Sequence, residues 1–86
     1  MPARLLVVED EDALSALLDY NLQKEGFDVR LSADGEEALL LIEEDKPDLV
    51  LLDWMLPGLS GIEICRRIRA RPETRDVAVI MLTARS

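Results

Sequence analysis

The sequence predicts an α/β domain in which helices wrap a parallel β-sheet. Two observations support this class. Short, continuous apolar runs, typical of parallel strands buried on both faces, alternate with segments whose apolar residues recur at helical spacing. No linker, internal repeat or low-complexity stretch interrupts that alternation over the 86 residues. We therefore expect a single domain over residues 1–86, with four strands and three helices in turn.

The first strand, β1, is predicted from the run "RLLVV" at residues 4–8. Helix α1 is expected over about residues 13–25, because an apolar stripe stops at Gly26, a favoured residue just beyond a helix end. The residues of that stripe are Leu14, Leu17, Leu18 and Leu22. Glu11 and Asp12 precede the stripe, where acids ordinarily stabilise a helix N-terminus.

The next strand and helix are predicted from alternation and capping. "FDVRLS" at residues 27–32 alternates apolar and polar residues, which predicts an edge strand, β2. Asp34 is the expected N-cap of helix α2, and Glu37 three residues later completes an acidic variant of the capping box. Lys46-Pro47 is expected to end this helix.

The second half of the chain repeats the alternation. "DLVLLD" at residues 48–53 predicts strand β3, a second apolar run closed by an acid. After the turn-rich loop "WMLPGLSG", Ser60 and Glu63 form a capping box that begins helix α3, which Arg71-Pro72 ends. The residues of α3 expected to face the core are Ile64, Cys65 and Ile68. "DVAVIMLT" at residues 76–83 predicts strand β4, expected to be buried on both faces.

Right-handed crossovers restrict the topology of such a chain. In the flavodoxin-like strand order, 2-1-3-4-5, a crevice opens between the carboxyl ends of β1 and β3. Those ends carry Glu9, Asp10 and Asp53, and neighbouring strands lie about 4.8 Å apart, so the three acids are expected to converge. At that separation two carboxylates repel each other by roughly 3 kcal/mol at an effective dielectric constant of about 20. A fold keeps such a cluster only if something offsets this repulsion.

A bound divalent cation would compensate the acids, and a solvated acidic rim is the alternative. Mg²⁺ prefers oxygen ligands and needs only a carboxylate or two from the protein. A hard cation beside a carboxylate suits phosphoryl transfer, in which an aspartate can act as the nucleophile. The hydroxyl of Thr83, at the end of β4, is expected to point into the same crevice, although threonine is common at strand ends for structural reasons.

Composition excludes several classes of function for this segment. The net charge is -8, from 18 acidic and 10 basic residues, which argues against contact with a nucleic-acid backbone. The apolar run at the N-terminus is too short for a signal peptide or a membrane span, so a cytoplasmic protein is expected. Cys65 is the only cysteine and is expected to be a small core residue. The arginines of α3 are expected to form a solvated face or to contact a partner.

Three segments carry a resemblance to a known family. "RLLVVEDE", "PDLVLLDWMLPGLSGIEICRRIR" and "VAVIMLTAR" resemble the receiver domain of bacterial two-component response regulators, specifically the OmpR/PhoB class. The resemblance covers all 86 residues but only about the first two thirds of such a receiver. It implies a CheY-like fold with strand order 2-1-3-4, the fifth strand and last two helices being absent from this sequence. It also implies a signalling domain that assists its own phosphorylation and dephosphorylation, rather than an enzyme.

The resemblance assigns roles to individual residues. Asp53 would accept a phosphoryl group from the phosphohistidine of a sensor histidine kinase. Glu9, Asp10, Asp53 and the backbone carbonyl of Met55 would form a Mg²⁺ site. Thr83 would contact the phosphoryl oxygens and act as the switch residue. The output would be transcriptional and would lie in a DNA-binding domain outside this chain.

Part of the family pattern is missing from the 86 residues. The family's phosphate-binding lysine, in a Lys-Pro motif at the end of a fifth strand, has no counterpart, because Lys46-Pro47 lies before β3. Without that lysine we expect weak phosphorylation of this segment alone. Without a fifth strand the edge of β4 would be unpaired, so self-association through β4 is expected.

Two alternative functions remain. In a pseudo-receiver or structural, oligomerising module the acids would have no chemistry, although the presence of Glu9, Asp10, Asp53 and Thr83 together argues against this. A metal-dependent phosphohydrolase of the haloacid-dehalogenase type also uses a strand-end aspartate. Such an enzyme has a second aspartate two residues later, where this sequence has Met55.

Overall fold

A computed structural model describes residues 2–82. Within these residues the four strands and three helices follow the expected order: β1 (Arg4–Val8), α1 (Asp12–Lys24), β2 (Asp28–Ser32), α2 (Gly35–Asp45), β3 (Leu49–Leu52), α3 (Gly61–Ala70) and β4 (Ala78–Met81). All neighbouring strands are parallel and the sheet order is β2-β1-β3-β4, which confirms the predicted topology. None of the three helices is long and apolar enough to cross a membrane.

The register of the sheet brings the carboxyl ends of all four strands to one edge. Val8 pairs with both Ser32 and Leu52, and Leu52 pairs with Met81. Because each of these four residues is the last of its strand, the segments that follow them leave the sheet side by side. This alignment places the residues after β1 next to those after β3.

One face of the sheet carries the main core. Residues of alternating register on β1 and β3 are fully or almost fully buried against α2 and α3, and the cluster consists of Leu6, Val8, Ala38, Ile42, Val50, Leu52, Ile64, Ile68 and Val77. Burying a Leu, Ile or Val side chain contributes roughly 1.5–3 kcal/mol. The predicted core positions Ile64 and Ile68 are confirmed, and Cys65 packs as a half-buried residue at the margin of the cluster.

The opposite face of the sheet is only partly covered in residues 2–82. Leu5 and Val7 are buried, because α1 packs over β1 and β2 on this side. Ala78 is exposed and Ile80 is 52% exposed, while Val79 and Met81 on the other face are half-buried. The expectation that β4 is buried on both faces is therefore wrong for the described chain, because α1 does not reach as far as β4.

Each predicted capping box forms only its N-cap half, because the glutamate of each box bonds to other side chains. Asp34 and Ser60 are N-caps as expected, with their side chains accepting hydrogen bonds from Glu36 N (3.0 Å) and Glu63 N (3.2 Å). The carboxylate of Glu37, however, accepts a hydrogen bond from the hydroxyl of Ser32 at 2.7 Å. The end of β2 thus competes for Glu37 with the local cap.

The arginines of α3 and its exit are not simply solvated. Arg66 and Arg67 pair with Glu63 on their own helix, and Arg71 pairs with Glu43 of α2 at 2.8 Å. The guanidinium of Arg69 donates to the backbone carbonyl groups of residues 75 and 77. Arg69 therefore fixes the segment that enters β4.

Candidate metal centre

Three acidic side chains meet at the carboxyl edge of the sheet. Glu9, Asp10 and Asp53 each offer a carboxylate oxygen, and these oxygens lie within 4.8 Å of one another. Glu9 and Asp10 follow β1, while Asp53 follows β3 and donates its backbone N–H to Val8 O at 3.0 Å. The parallel pairing of β1 and β3 thus continues into the first residue beyond each strand and brings the three carboxylates together, as the sequence predicts.

The three acids differ in burial. The residues Glu9 and Asp53 are each 2% exposed, and Asp10 is exposed. Glu9 Oε2 also accepts a hydrogen bond from the backbone N–H of Glu11 at 2.9 Å. Glu11 is the N-cap of α1, so the Glu9 carboxylate is held at the positive end of this helix. The cluster therefore has two buried carboxylates inside and one at its mouth.

The donor set fits a small, hard divalent cation. Mg²⁺ takes oxygen ligands at 2.0–2.1 Å and usually keeps several waters, so it needs few carboxylates but close spacing between them. Two buried carboxylates and a third at the surface provide oxygen ligands together with solvent access. A cation would also offset the mutual repulsion of the three charges.

The loop after β3 is fixed at three points. Gly61 N donates to Trp54 O, and Gly35 N donates to Pro57 O, each at 3.0 Å. Gly58 has a left-handed backbone, with φ at +82°, and packs against the Asp34 carboxylate. Loop residues 54–60 are therefore held between the first turns of α2 and α3. Met55, whose backbone carbonyl is a predicted metal ligand, lies in this loop two residues after Asp53.

Strand β4 also ends at the carboxyl edge of the sheet, where the acidic cluster lies. Leu82 N donates to Leu52 O at 2.8 Å, so the segment after β4 continues alongside β3. Thr83, the predicted phosphoryl contact, lies outside the described residues.

Some contacts around the centre could not be identified from the sequence. Ser32, at the end of β2, accepts a hydrogen bond from Glu9 N at its carbonyl and donates its hydroxyl to Glu37. This links α2 to the segment that carries Glu9. The only sequence signal for a partner of Glu37 was the capping pattern with Asp34, and that pattern predicted a bond within the first turn of α2 instead of the bond to Ser32.

Cys65 has no place in this centre. Burial raises the pKa of its thiol, and nearby Arg69 offsets that rise in part. Its Sγ lies 3.9 Å from the sulfur of Met81. A thiol with a raised pKa is a poor nucleophile, which agrees with the predicted packing role.

The chain is similar to proteins of one family. Residues 5–86 match the response regulator receiver domain family. The chain is 59% identical over 85 residues to the phosphate regulon transcriptional regulatory protein PhoB of Rhizobium meliloti (strain 1021), a match that covers 99% of this chain and 37% of that protein. The chain thus spans well under half the length of this curated relative.

Solved structures share the fold. The receiver domain of sensor histidine kinase PA1611 from Pseudomonas aeruginosa PAO1 has a TM-score of 0.91 and 35% identity, covering 96% of this chain and 68% of that one. Its crystal structure has a magnesium ion coordinated in the active site cleft. The chemotaxis response regulator CheY4 of Vibrio cholerae has a TM-score of 0.93 and 27% identity, covering 100% and 72%. The predicted CheY-like fold is confirmed.

Proposed function

Because the chain belongs to the response regulator receiver domain family, we propose that Asp53 is its phosphoacceptor and takes a phosphoryl group from the phosphohistidine of a sensor histidine kinase. The position of Asp53 is the observation that carries this proposal. It is buried, it directly follows the inner strand β3, and its carboxylate lies within 4.8 Å of two other acids. Few structural reasons favour three clustered carboxylates at a sheet edge.

The proposed step is an in-line displacement at phosphorus. A carboxylate oxygen of Asp53 forms the new O–P bond while the P–N bond to the kinase imidazole breaks, and the released imidazole nitrogen takes up a proton. Asp53 is held for this attack by its backbone N–H bond to β1 and by the packing of α3. Correct positioning of the reacting groups supplies much of the rate in such reactions.

Mg²⁺ is the proposed cofactor, with Glu9, Asp10, Asp53 and the backbone carbonyl of Met55 as the residues that hold it. When bound, it supplies positive charge that neutralises the phosphoryl oxygens. The carboxylate spacing and the magnesium-bearing receiver of similar fold support this assignment. We further propose that Thr83 contacts the phosphoryl oxygens and acts as the switch residue.

The biological output is proposed from the relative alone. The similarity to PhoB suggests that residues 1–86 form part of a receiver domain and that phosphorylation controls transcription through a DNA-binding domain outside these residues. The net charge of -8 supports the view that this segment does not itself contact DNA. We propose the kinase as its main partner, and self-association through β4 when the 86 residues are produced alone.

Phosphorylation of Asp53 can be tested directly. The protein is incubated with Mg²⁺ and acetyl phosphate or a histidine kinase, and hydroxylamine-labile phosphate is measured. We expect weak but measurable label in the wild type and in a control with the exposed acid Asp76 replaced, Asp76→Ala, but none in Asp53→Ala. Label that persists in Asp53→Ala would place the acceptor elsewhere. A wild type that is folded and binds Mg²⁺ but takes no label would favour the pseudo-receiver alternative.

A further inference from the structure

Gly61, the first residue of α3, lies directly against the main chain of Asp53. A Cβ atom at position 61 would be 2.5 Å from the carbonyl oxygen of Asp53 and 3.3 Å from its carbonyl carbon. Real Cβ atoms essentially never approach another heavy atom within 3.0 Å. Any side chain at this position would therefore require the Asp53 backbone or helix α3 to move.

The backbone conformation of Gly61 does not explain the glycine. The described glycines with positive φ are Gly26 and Gly58, whereas Gly61 has a φ that any residue can adopt. Alanine is favoured over glycine inside a helix by up to about 1 kcal/mol, so helix propensity also argues against glycine here. The remaining reason for a glycine at position 61 is the lack of space for a side chain beside Asp53.

The Asp53 backbone has little room to yield. On one side its N–H is bonded to Val8 O of β1, and on the other Gly61 N donates to Trp54 O, the next carbonyl along the chain. The methyl group of Met81 would also lie 3.1 Å from the added Cβ, but it is the far end of a flexible side chain and can move aside, so the backbone contact with Asp53 is the one that resists. Relief of the contact with Asp53 O requires a relative movement of roughly 0.5–0.9 Å between residue 61 and Asp53, and the part taken by Asp53 displaces its carboxylate.

We propose that Gly61 is a positioning residue for Asp53, keeping α3 close enough for the Trp54 carbonyl to be bonded while leaving the acceptor carboxylate in place beside Glu9 and Asp10. The effect of this positioning on phosphorylation rests on the proposed function of Asp53 as the acceptor. A displacement of about 1 Å at a reacting group can lower the rate by roughly 100-fold. Mg²⁺ is also sensitive to such a displacement, because it demands near-ideal octahedral geometry.

The test compares Gly61→Ala with Ser60→Ala. The control removes the neighbouring N-cap of α3, which costs roughly 1 kcal/mol, but adds no atom beside Asp53. In the metal-free protein, we expect Gly61→Ala to shift the backbone amide resonances of Asp53 and Trp54, which Ser60→Ala leaves in place. Under conditions where both variants are folded, we expect Gly61→Ala to bind Mg²⁺ at least 10-fold more weakly and to be phosphorylated by acetyl phosphate roughly 100-fold more slowly.

Each outcome decides the proposal. Unshifted Asp53 and Trp54 resonances, or the same loss of Mg²⁺ affinity in both variants, would overturn it. A Gly61→Ala protein that does not fold even with a stabilising osmolyte would also overturn it, since glycine would then be required by the fold as a whole. A wild type that neither binds Mg²⁺ nor takes label would refute the proposed function instead, while the metal-free resonances would still decide the positioning role.

Discussion

The carboxylate of Glu9 accepts a hydrogen bond from the backbone N–H of Glu11 at 2.9 Å, and so binds the N-terminus of α1 while facing Asp10 and Asp53. Helix N-termini carry unpaired N–H groups and partial positive charge, which favour a carboxylate. Glu9 is therefore oriented by the protein itself. The backbone N–H of Glu11 thus gives this carboxylate a fixed protein partner within the acidic cluster.

Replacing Glu9 by glutamine separates the hydrogen bond that Glu9 accepts from its negative charge in the acidic cluster. The glutamine side-chain oxygen can still accept the bond from Glu11 N, while one of three clustered charges is removed. We expect Glu9→Gln to raise the free energy of unfolding of the metal-free protein by about 1 kcal/mol, because repulsion is relieved. We expect the stabilisation by added Mg²⁺ to fall, because affinity for the native state is lost.

Urea unfolding with and without Mg²⁺ measures both effects. Glu9→Ala is the matched control, since it removes the charge and the acceptor oxygen together and should be less stable than Glu9→Gln. Equal stability of the two variants would show that the bond to Glu11 contributes nothing to the free energy of unfolding.

Trp54 provides an optical signal for Mg²⁺. It is the only tryptophan of the sequence, it follows Asp53 directly and it is 42% exposed. We expect its fluorescence to change on Mg²⁺ titration and the change to disappear in Asp10→Ala. The control is Asp12→Ala, which removes an exposed acid in the first turn of α1 that is not a member of the cluster. A flat titration of folded wild type would contradict the metal site.

The buried hydroxyl of Thr74 is expected to stabilise the end of α3. Thr74 is 1% exposed and its Oγ1 donates to Ile68 O at 2.9 Å. Thr74→Val keeps the shape but leaves this carbonyl without the hydroxyl, which should cost roughly 1–3 kcal/mol in thermal or urea unfolding. Thr74→Ser keeps the hydroxyl and removes one methyl group, at a cost of about 1 kcal/mol. If the valine variant is as stable as the wild type, the bond has no net effect.

The sequence predicted those features of the site that follow from strand order. Once β1 and β3 are neighbours, Glu9, Asp10 and Asp53 must meet, because they are the first two residues after β1 and the first residue after β3. Features that depend on close approach between distant segments were not predictable. The lack of space for a side chain at Gly61 is one example, since it arises only because α3 packs on Asp53.

Competition between partners also limits prediction from sequence. A capping box assumes that Glu37 has only local partners, yet the hydroxyl of Ser32 comes within 2.7 Å of it through the β2–α2 connection. The exposure of β4 is a similar case. An apolar strand has the same pattern whether or not another element covers it, and α1 covers β1 and β2 but does not reach Ile80.

Ile80 allows the expected self-association of the isolated 86 residues to be tested. β4 is the outer strand of the described sheet, and Ile80 is 52% exposed on the face that α1 leaves open. An exposed apolar edge strand favours pairing with another chain, and a lysine on such a strand opposes it. We expect size-exclusion chromatography with light scattering to show dimers or larger species for the wild type and monomers for Ile80→Lys.

The control for this experiment is Ile62→Lys, which makes the same exchange at a residue that is 48% exposed and belongs to α3 instead of β4. If lysine acts by blocking β4, the Ile62→Lys protein should associate like the wild type. Monomers in both variants would show that general solubility, and not pairing of β4, governs association. A wild type that is monomeric and unfolds cooperatively at ~100 μM would contradict self-association altogether, and would indicate that the open face of β4 is too small to hold a second copy at the expected cost of association.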